Sequence, residues 1–451
     1  MGKDLRQFLQ VVKELGVDYY VEVKRPLKPK YEVSVFQQKL AKESRFPVVY
    51  CPRIEGSKLP LVANLFASYE MLGVALDITS EELKTDKGVI LREYRRRQVE
   101  LVPTKQIPAS EAPVREVILQ GKDVNLGRLP IIHHAELNPG PYVTIGMTVS
   151  KDPDTGIPNV GIYRMELKGK DRIACMMRPD HHGGKIGQRY AELGKPMEVV
   201  TFIGHHPTVA MAAGAYRSSK MNENEFELMG ALLGESLEVT PALTVDLPVP
   251  ARAEIAIEGI IDPTKMDTEG PFSEGAGYYG EERPCYIIQV TAITMRRDAI
   301  YNDLYPIHQE HNLVLQLGRE ARIYDAVKRV VPDVKAVHIG PDGQCGKLIV
   351  YVSIKKRNEE EAKQAGLAAL DGDNSGRVVV VVDEDVDVYY ESEVWWAIAT
   401  RMRGESGISF HPGPIATRTV IDATIPLDTP FPTRVTPPKE LWDSMQLEDY
   451  L

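Results

Sequence analysis

The sequence predicts an α/β protein interrupted by a mostly β middle, and three observations carry that expectation. Helix and strand patterns alternate over residues 1–115. From about 115 to 300 one strand-like run follows another with turn residues between them, which suggests a β-barrel or sandwich with inserted helices. After 310 the alternation returns around residues 377–382, where five valines follow Arg377 without a break, as in a strand buried on both faces. The 451-residue chain is long enough for two or three domains, and we divide it at 1–115, 116–305 and 306–451.

Leu5, Phe8, Leu9, Val12 and Leu15 recur at helical spacing, so residues 3–16 read as an amphipathic helix. A short strand over 21–23 and a helix over 33–40 follow. The next strand covers 47–51, with Pro47 first, where no ladder hydrogen bond is lost. Thr79-Ser80-Glu81-Glu82 is a capping-box signature opening a polar helix. In the middle region, residues 142–149 alternate like a strand. Lys151-Asp152-Pro153-Asp154-Thr155-Gly156 supplies a turn, and 161–167 completes a hairpin. Further strands are expected over 197–203, 236–240, 254–258 and 286–295, with helices over 185–193 and 223–233. Beyond 310 we expect a helix over 312–330, a strand over 347–354 and a helix over 359–370. The valine strand comes next, then a helix over 393–401 bearing Trp395 and Trp396, and an extended tail rich in Pro and Thr over 425–436.

Composition narrows the function. A net charge of −10 argues against a general nucleic-acid or anionic-membrane binder. Cys51, Cys175, Cys285 and Cys345 form neither CxxC pairs nor a disulfide framework, which points to a reducing compartment. There is no secretory signal at Met1-Gly2-Lys3-Asp4 and no apolar run long enough to span a bilayer. A cytoplasmic protein is expected.

Glu269-Gly270-Pro271-Phe272-Ser273-Glu274 places two carboxylates around a Gly-Pro bend. A tight bend would bring both acids to one cavity, one as a charged anchor and the other as a proton donor. Arg164, ending Asn159-Val160-Gly161-Ile162-Tyr163-Arg164, suits bidentate carboxylate recognition. Glu225 stands in the first turn of an expected helix, where an acid also simply favours the helix dipole. The pairs His133-His134, His181-His182 and His205-His206 are each expected to hold one inner and one outer ring, since neighbours on a strand face opposite ways. Gly183-Gly184, after the second pair, would let backbone approach a phosphate or cofactor. Gly275-Ala276-Gly277-Tyr278-Tyr279-Gly280 matches the letters GxGxxG but lacks the preceding strand and following helix of a dinucleotide site. Neither HExxH nor a Walker A loop occurs.

These segments appear in order with Glu225-Phe226, Gly230-Ala231-Leu232, Val249-Pro250-Ala251, Val381-Val382-Asp383-Glu384-Asp385 and Thr419-Val420-Ile421-Asp422-Ala423-Thr424. Together they resemble the UbiD family of reversible, prenylated-FMN-dependent decarboxylases, over most of the chain from about 110 onward. The resemblance implies a central split β-barrel that binds the flavin, and a C-terminal α/β domain used in oligomerisation. Arg164, Glu269 and Glu274 match the family's catalytic network. Asn159, His182 and Glu225 match the ligands of a divalent metal, usually Mn²⁺, at the cofactor phosphate; amide and carboxylate oxygens with one imidazole suit that ion. Ile162, Tyr163, Arg164 and His181 match flavin-contacting positions. Arg377 stands where relatives often carry a lysine near the phosphate, and K⁺ is a common additional ion.

The implied function is decarboxylation of an aromatic, heteroaromatic or α,β-unsaturated acid, with Glu274 as proton donor and Arg164 and Glu269 orienting the carboxylate. A furoate- or pyrrole-carboxylate-like acid is the leading substrate, with hydroxybenzoate-type and phosphorylated unsaturated acids behind it. His308 and His311 are candidates for a second polar group of the substrate, or else surface residues at a helix start. A separate flavin prenyltransferase would supply the cofactor, and a dimer or hexamer is expected. A non-catalytic flavin protein and a metal-dependent hydrolase built on the histidine pairs are the competing readings.

Overall fold

The computed structural model describes residues 2–215, 221, 223–340, 348–413, 416–445 and 450. Cys345 and the first residue of the strand expected over 347–354 lie outside them.

Helix Leu5–Glu14 buries Leu5, Phe8, Leu9 and Val12, and the Asp4 side chain caps it by accepting from the Arg6 and Gln7 N–H groups. Thr79 and Glu82 form the capping box read from sequence, both reciprocal bonds being present. Strands Tyr20–Glu22, Val48–Cys51 and Leu61–Ala63 lie side by side in one sheet. Its fourth strand, Tyr301–Asn302, arrives from the far end of the middle region, so the first and second regions share a sheet.

The middle region is a nine-stranded sheet with inserted helices. Its longest members, Ile255–Glu269 and Arg283–Met295, extend well beyond the strands expected over 254–258 and 286–295 and pair antiparallel. Their register shifts between Glu258 and Gly259 and between Ile261 and Met266. Such irregularities bend a strand and add twist, which is how one sheet curls into a half-barrel. Helices His182–Glu192 and Glu225–Leu233 lie where expected. Strand Arg172–Cys175 and helix Pro207–Ala213 were not anticipated. That helix is buried at every position, so it has no polar face to give it a readable period.

In the third region the strands Ile349–Ile354, Val378–Asp383 and Arg418–Ala423 run parallel. Val334–His338 and Ile408–His411 close the two edges antiparallel. Val379 and Val381 pack into a core with Ala362, Ala365 and Ile323 from helices Glu360–Gly372 and Gln309–Val330. Val380 and Val382 pack with Val394 and Ala397 of helix Glu391–Arg401. The valine run is thus covered on both faces. Among the described residues no helix is long and apolar enough to cross a membrane.

Candidate active site

Two strands predicted as continuous are interrupted, and the interruptions make the site. The run expected over 142–149 splits into Tyr142–Val143 and Met147–Lys151, which leaves Thr144 and Ile145 lining a cavity. Gly146 allows this close crossing, since a Cβ there would sit 2.7 Å from the Thr201 side chain. The second arm likewise splits into Pro158–Ile162, paired with Met147–Lys151, and Met165–Leu167, paired with Tyr142–Val143 and Arg172–Cys175. Tyr163 and Arg164 occupy the handover and also line the cavity, which has a volume of about 430 Å³. Its other walls come from Phe272, Glu274 and Arg283, from the end of helix Pro207–Ala213, and from His311, Val314 and Arg319 of helix Gln309–Val330.

Glu269 is the last residue of its strand, and Gly270 turns the chain with φ of +96°, a conformation that glycine adopts at no steric cost. The bend delivers both acids to Arg164. Arg164 Nε donates to Glu269 Oε1 and Oε2 at 3.1 and 3.3 Å, and Nη2 also binds Glu269 Oε1. Nη1 donates to Glu274 Oε1 at 2.5 Å. Of the five guanidinium N–H groups, this leaves two for another partner. Burial disfavours the Arg164 charge, but its bonds to Glu269 and the charges of both acids hold its pKa above the ordinary value. The guanidinium also lies over the Phe272 ring, 4.5 Å from the centroid.

The two acids differ in surroundings. The Glu269 side chain is 1% exposed and that of Glu274 38% exposed. Glu274 lines the cavity and Glu269 does not. Behind Glu269, Tyr142 donates its OH to Glu269 Oε2 at 3.2 Å and lies 3.3 Å from Glu166 Oε2. Burial, then the Glu269 and Glu166 charges, push the Tyr142 pKa up, so it stays a phenol and a donor. Lys168 Nζ holds Glu166 at 2.7 Å. Sequence reasoning missed this backing chain, because Tyr142, Glu166 and Glu269 are far apart in sequence and meet only through the folded sheet.

Asn159, His182 and Glu225 come together beside the cavity. Asn159 Nδ2 donates to Glu225 Oε1 at 2.9 Å, the Val160 N–H donates to Oε2 at 3.1 Å, and His182 Nδ1 lies 3.8 Å from Oε1. Among the described residues the buried Asn159 Oδ1 has no hydrogen-bond partner. An orphaned amide oxygen, a carboxylate and an imidazole converging on one place fit a divalent cation. Gly183 and Gly184 have internal explanations. A Cβ on Gly183 would meet the Tyr163 hydroxyl at 2.4 Å, and one on Gly184 the Arg178 carbonyl oxygen at 1.9 Å. The Tyr163 hydroxyl in turn accepts the Gly183 N–H at 3.2 Å.

Several expectations change. His308 is the N-cap of helix Gln309–Val330, its Nδ1 accepting the Glu310 N–H at 3.3 Å, and it does not line the cavity; burial drops its pKa to about 4. His311 does line the cavity, with Nδ1 2.7 Å from the Pro306 carbonyl oxygen. Arg377 precedes its strand, bonds through its backbone to Leu348 and Thr419, and is not a lining residue, whereas Arg319 and Ser375 are. His205 and His206 are both buried, contrary to the one-in, one-out expectation. They follow strand Met197–Ile203 in a bend where strand alternation no longer applies, and burial lowers their pKa values to about 4 and about 3. The Gly275–Gly280 segment joins two-residue strands, not a strand to a helix.

Residues 105–309 match the 3-octaprenyl-4-hydroxybenzoate carboxy-lyase Rift-related domain, and residues 18–86 and 312–424 match the N-terminal and C-terminal domains of the same carboxy-lyase. The chain belongs to the UbiD family. It is 34% identical over 403 residues to the anhydromevalonate phosphate decarboxylase of Methanosarcina mazei, covering 89% of this chain and 88% of the relative. The enzyme of the same name from Methanothermobacter thermautotrophicus is 33% identical over 393 residues, covering 84% and 89%. Among solved structures, the UbiD-class enzyme HmfF from Pelotomaculum thermopropionicum in complex with FMN superposes with a TM-score of 0.90 at 32% identity, over 99% of this chain and 100% of that one. An evolved dimeric form of HmfF with prFMN gives 0.89 at 32% identity, over the whole of both chains. This UbiD-family member is a carboxy-lyase with the curled half-barrel of its class.

Proposed function

We propose that this enzyme decarboxylates a phosphorylated, unsaturated carboxylic acid with prenylated FMN as cofactor. The observation that carries the reading is the cavity-facing Arg164, held by a buried Glu269 on one side and a cavity-exposed Glu274 on the other. Support for a phosphorylated acid comes from the two relatives whose names specify a phosphate-bearing substrate, at 33% and 34% identity over most of both chains. That support favours a phosphorylated acid over the furoate- or pyrrole-type acid expected from sequence. HmfF, bound to FMN and to prFMN, supports the choice of cofactor.

In this reading the two remaining Arg164 N–H groups grip the substrate carboxylate, and Glu269 fixes the guanidinium. Bound prenylated FMN supplies the electron sink for loss of CO₂. Glu274 delivers the proton to the carbon that CO₂ leaves, being the acid that faces the cavity. Ile162 and Tyr163 would wall the flavin, and His181 with Arg178 would border its phosphate end. Asn159, His182 and Glu225 would hold a divalent cation, Mn²⁺ being suited to those donors, which draws the cofactor's phosphate to the protein.

The test is CO₂ release from a panel of acids by protein co-expressed with a flavin prenyltransferase. Phosphorylated unsaturated acids should turn over ahead of furoate, pyrrole-carboxylate and hydroxybenzoates. Turnover confined to the ring acids would overturn the substrate assignment. Robust activity in flavin-free protein would overturn the cofactor assignment.

A further inference from the structure

Among the described residues four arginines line the cavity: Arg164, Arg178, Arg283 and Arg319. Three are already matched to acids. Arg164 is held by Glu269 and Glu274. Arg178 binds Asp180 through Nε and Nη2 at 3.0 and 3.1 Å. Arg319 is paired with Asp373. The Arg283 side chain makes no hydrogen bond or ion pair among the described residues, and it is exposed at the rim.

Its position is fixed by strand register. Arg283 pairs directly with Glu269 where the two long strands meet the acidic bend. Residues directly opposite in an antiparallel pair project to the same face, so Arg283 stands on the face that carries the Arg164 network. Gly280, three residues before it, packs so close to Glu274 that a Cβ there would lie 2.9 Å from Oε1. Arg178 and His181 belong to the other end, in the turn that leads into His182 and the Asn159–His182–Glu225 set. The cavity therefore has two cationic ends, one beside the cation-binding set and one beside the acids.

We infer that Arg283 binds the phosphate of the substrate and sets the enzyme's preference for phosphorylated over unphosphorylated acids. This rests on the reading above that the substrate carries a phosphate. Arg283 and Arg164 line the same cavity, so a short acid whose carboxylate sits on Arg164 can bring a second anionic group to Arg283. A guanidinium that no described residue holds can offer a phosphate two parallel N–H bonds, a geometry that lysine cannot reproduce.

The experiment compares wild type, Arg283→Ala and Arg283→Lys, each flavin-loaded. It uses short unsaturated acids carrying a terminal phosphate, each paired with its dephosphorylated counterpart. Flavin and metal content checks that the variants are folded and loaded. In Arg283→Ala the ratio of kcat/KM for phosphorylated over unphosphorylated acid should fall about 10- to 100-fold, the loss expected for a charge-assisted bond, through KM and not kcat. Arg283→Lys should recover part of the ratio. Methyl phosphate should compete with the phosphorylated acid in the wild type and not in Arg283→Ala. If the wild type discriminates and Arg283→Ala keeps the same ratio, the role of Arg283 is wrong while the substrate class stands. If the wild type shows no preference for the phosphorylated member, the substrate class itself fails and the inference falls with it.

Discussion

Replacing the two acids of the network one at a time, by their neutral isosteres, separates what each does. Glu269 is 1% exposed and Arg164 14%, so Glu269→Gln removes one partner of a buried pair and leaves the guanidinium charge behind. Such a loss costs about 3–5 kcal/mol. The lower end applies, because Glu274 still binds Nη1 and the glutamine oxygen can still accept from Tyr142. Glu274 is 38% exposed, and a pair so open to water contributes at most about 1 kcal/mol. Chemical denaturation should therefore show a clear loss of stability for Glu269→Gln and almost none for Glu274→Gln. Single-turnover decarboxylation should show the reverse selectivity: the chemical step in Glu274→Gln falls by roughly 10²–10⁴-fold, the usual contribution of a general acid, with flavin still bound. Glu269→Gln should weaken substrate binding and turnover together. Equal stability losses would refute the division into anchor and donor. Proton incorporation at the product carbon at the wild-type rate in Glu274→Gln would refute the assignment of the donor.

Glu225→Ala should leave the fold intact but lose bound Mn²⁺ and most of the flavin, read by elemental analysis and absorbance; wild-type metal and flavin content would reduce Glu225 to a helix-start acid. Glu310 gives a pH signature, since burial above all raises its carboxyl pKa from 4.5 to about 8, with the Asp303 charge adding and the N–H groups of Asn64, Leu65 and Phe66 opposing. Its folded pKa lies above the unfolded one, so its contribution to stability is full below about 4.5 and lost as pH rises to about 8. Glu310→Gln should flatten that decline and be more stable than the wild type at pH 8; parallel stability curves from pH 5 to 9 would exclude the effect.

What the sequence made legible was local. The helix over 3–16, the capping box at Thr79 and the valine strand each follow from spacing within a few residues. Arg164, Glu269 and Glu274 were reached through an ordered set of motifs, and the structure brings them within hydrogen-bond distance. Less visible were the points where a strand stops obeying its own alternation. Residues 144–146 and 163–164 lie inside runs that read as continuous strands, but pairing with different neighbours breaks the strands there. Arg283 was overlooked because its meaning lies in register across a hairpin. A reading of residues 274–278 as a hairpin loop would have set Arg283 against Glu269, since Ala276 lies midway between them. His308, read either as a substrate contact or as a surface residue at a helix start, is the buried cap of a helix that begins at Gln309, three residues before the expected 312.

Helix Gln309–Val330 has 22 residues and so is roughly 33 Å long. Its first turns face the cavity through His311, Val314 and Arg319, while Ile323 and Val327 are sealed into the core of the third region. Leu313, Leu317 and Ala321 pack into the core shared by the first two regions, so one rigid beam joins two cores and forms a cavity wall along its near half. A core substitution that shifts the beam, at Ala365 or Val350 for instance, moves the wall without touching any ligand. Laboratory selection for acids of a different length should accordingly recover changes deep in the third region as well as at the rim, and a catalogue of first-contact residues alone would fail to explain them.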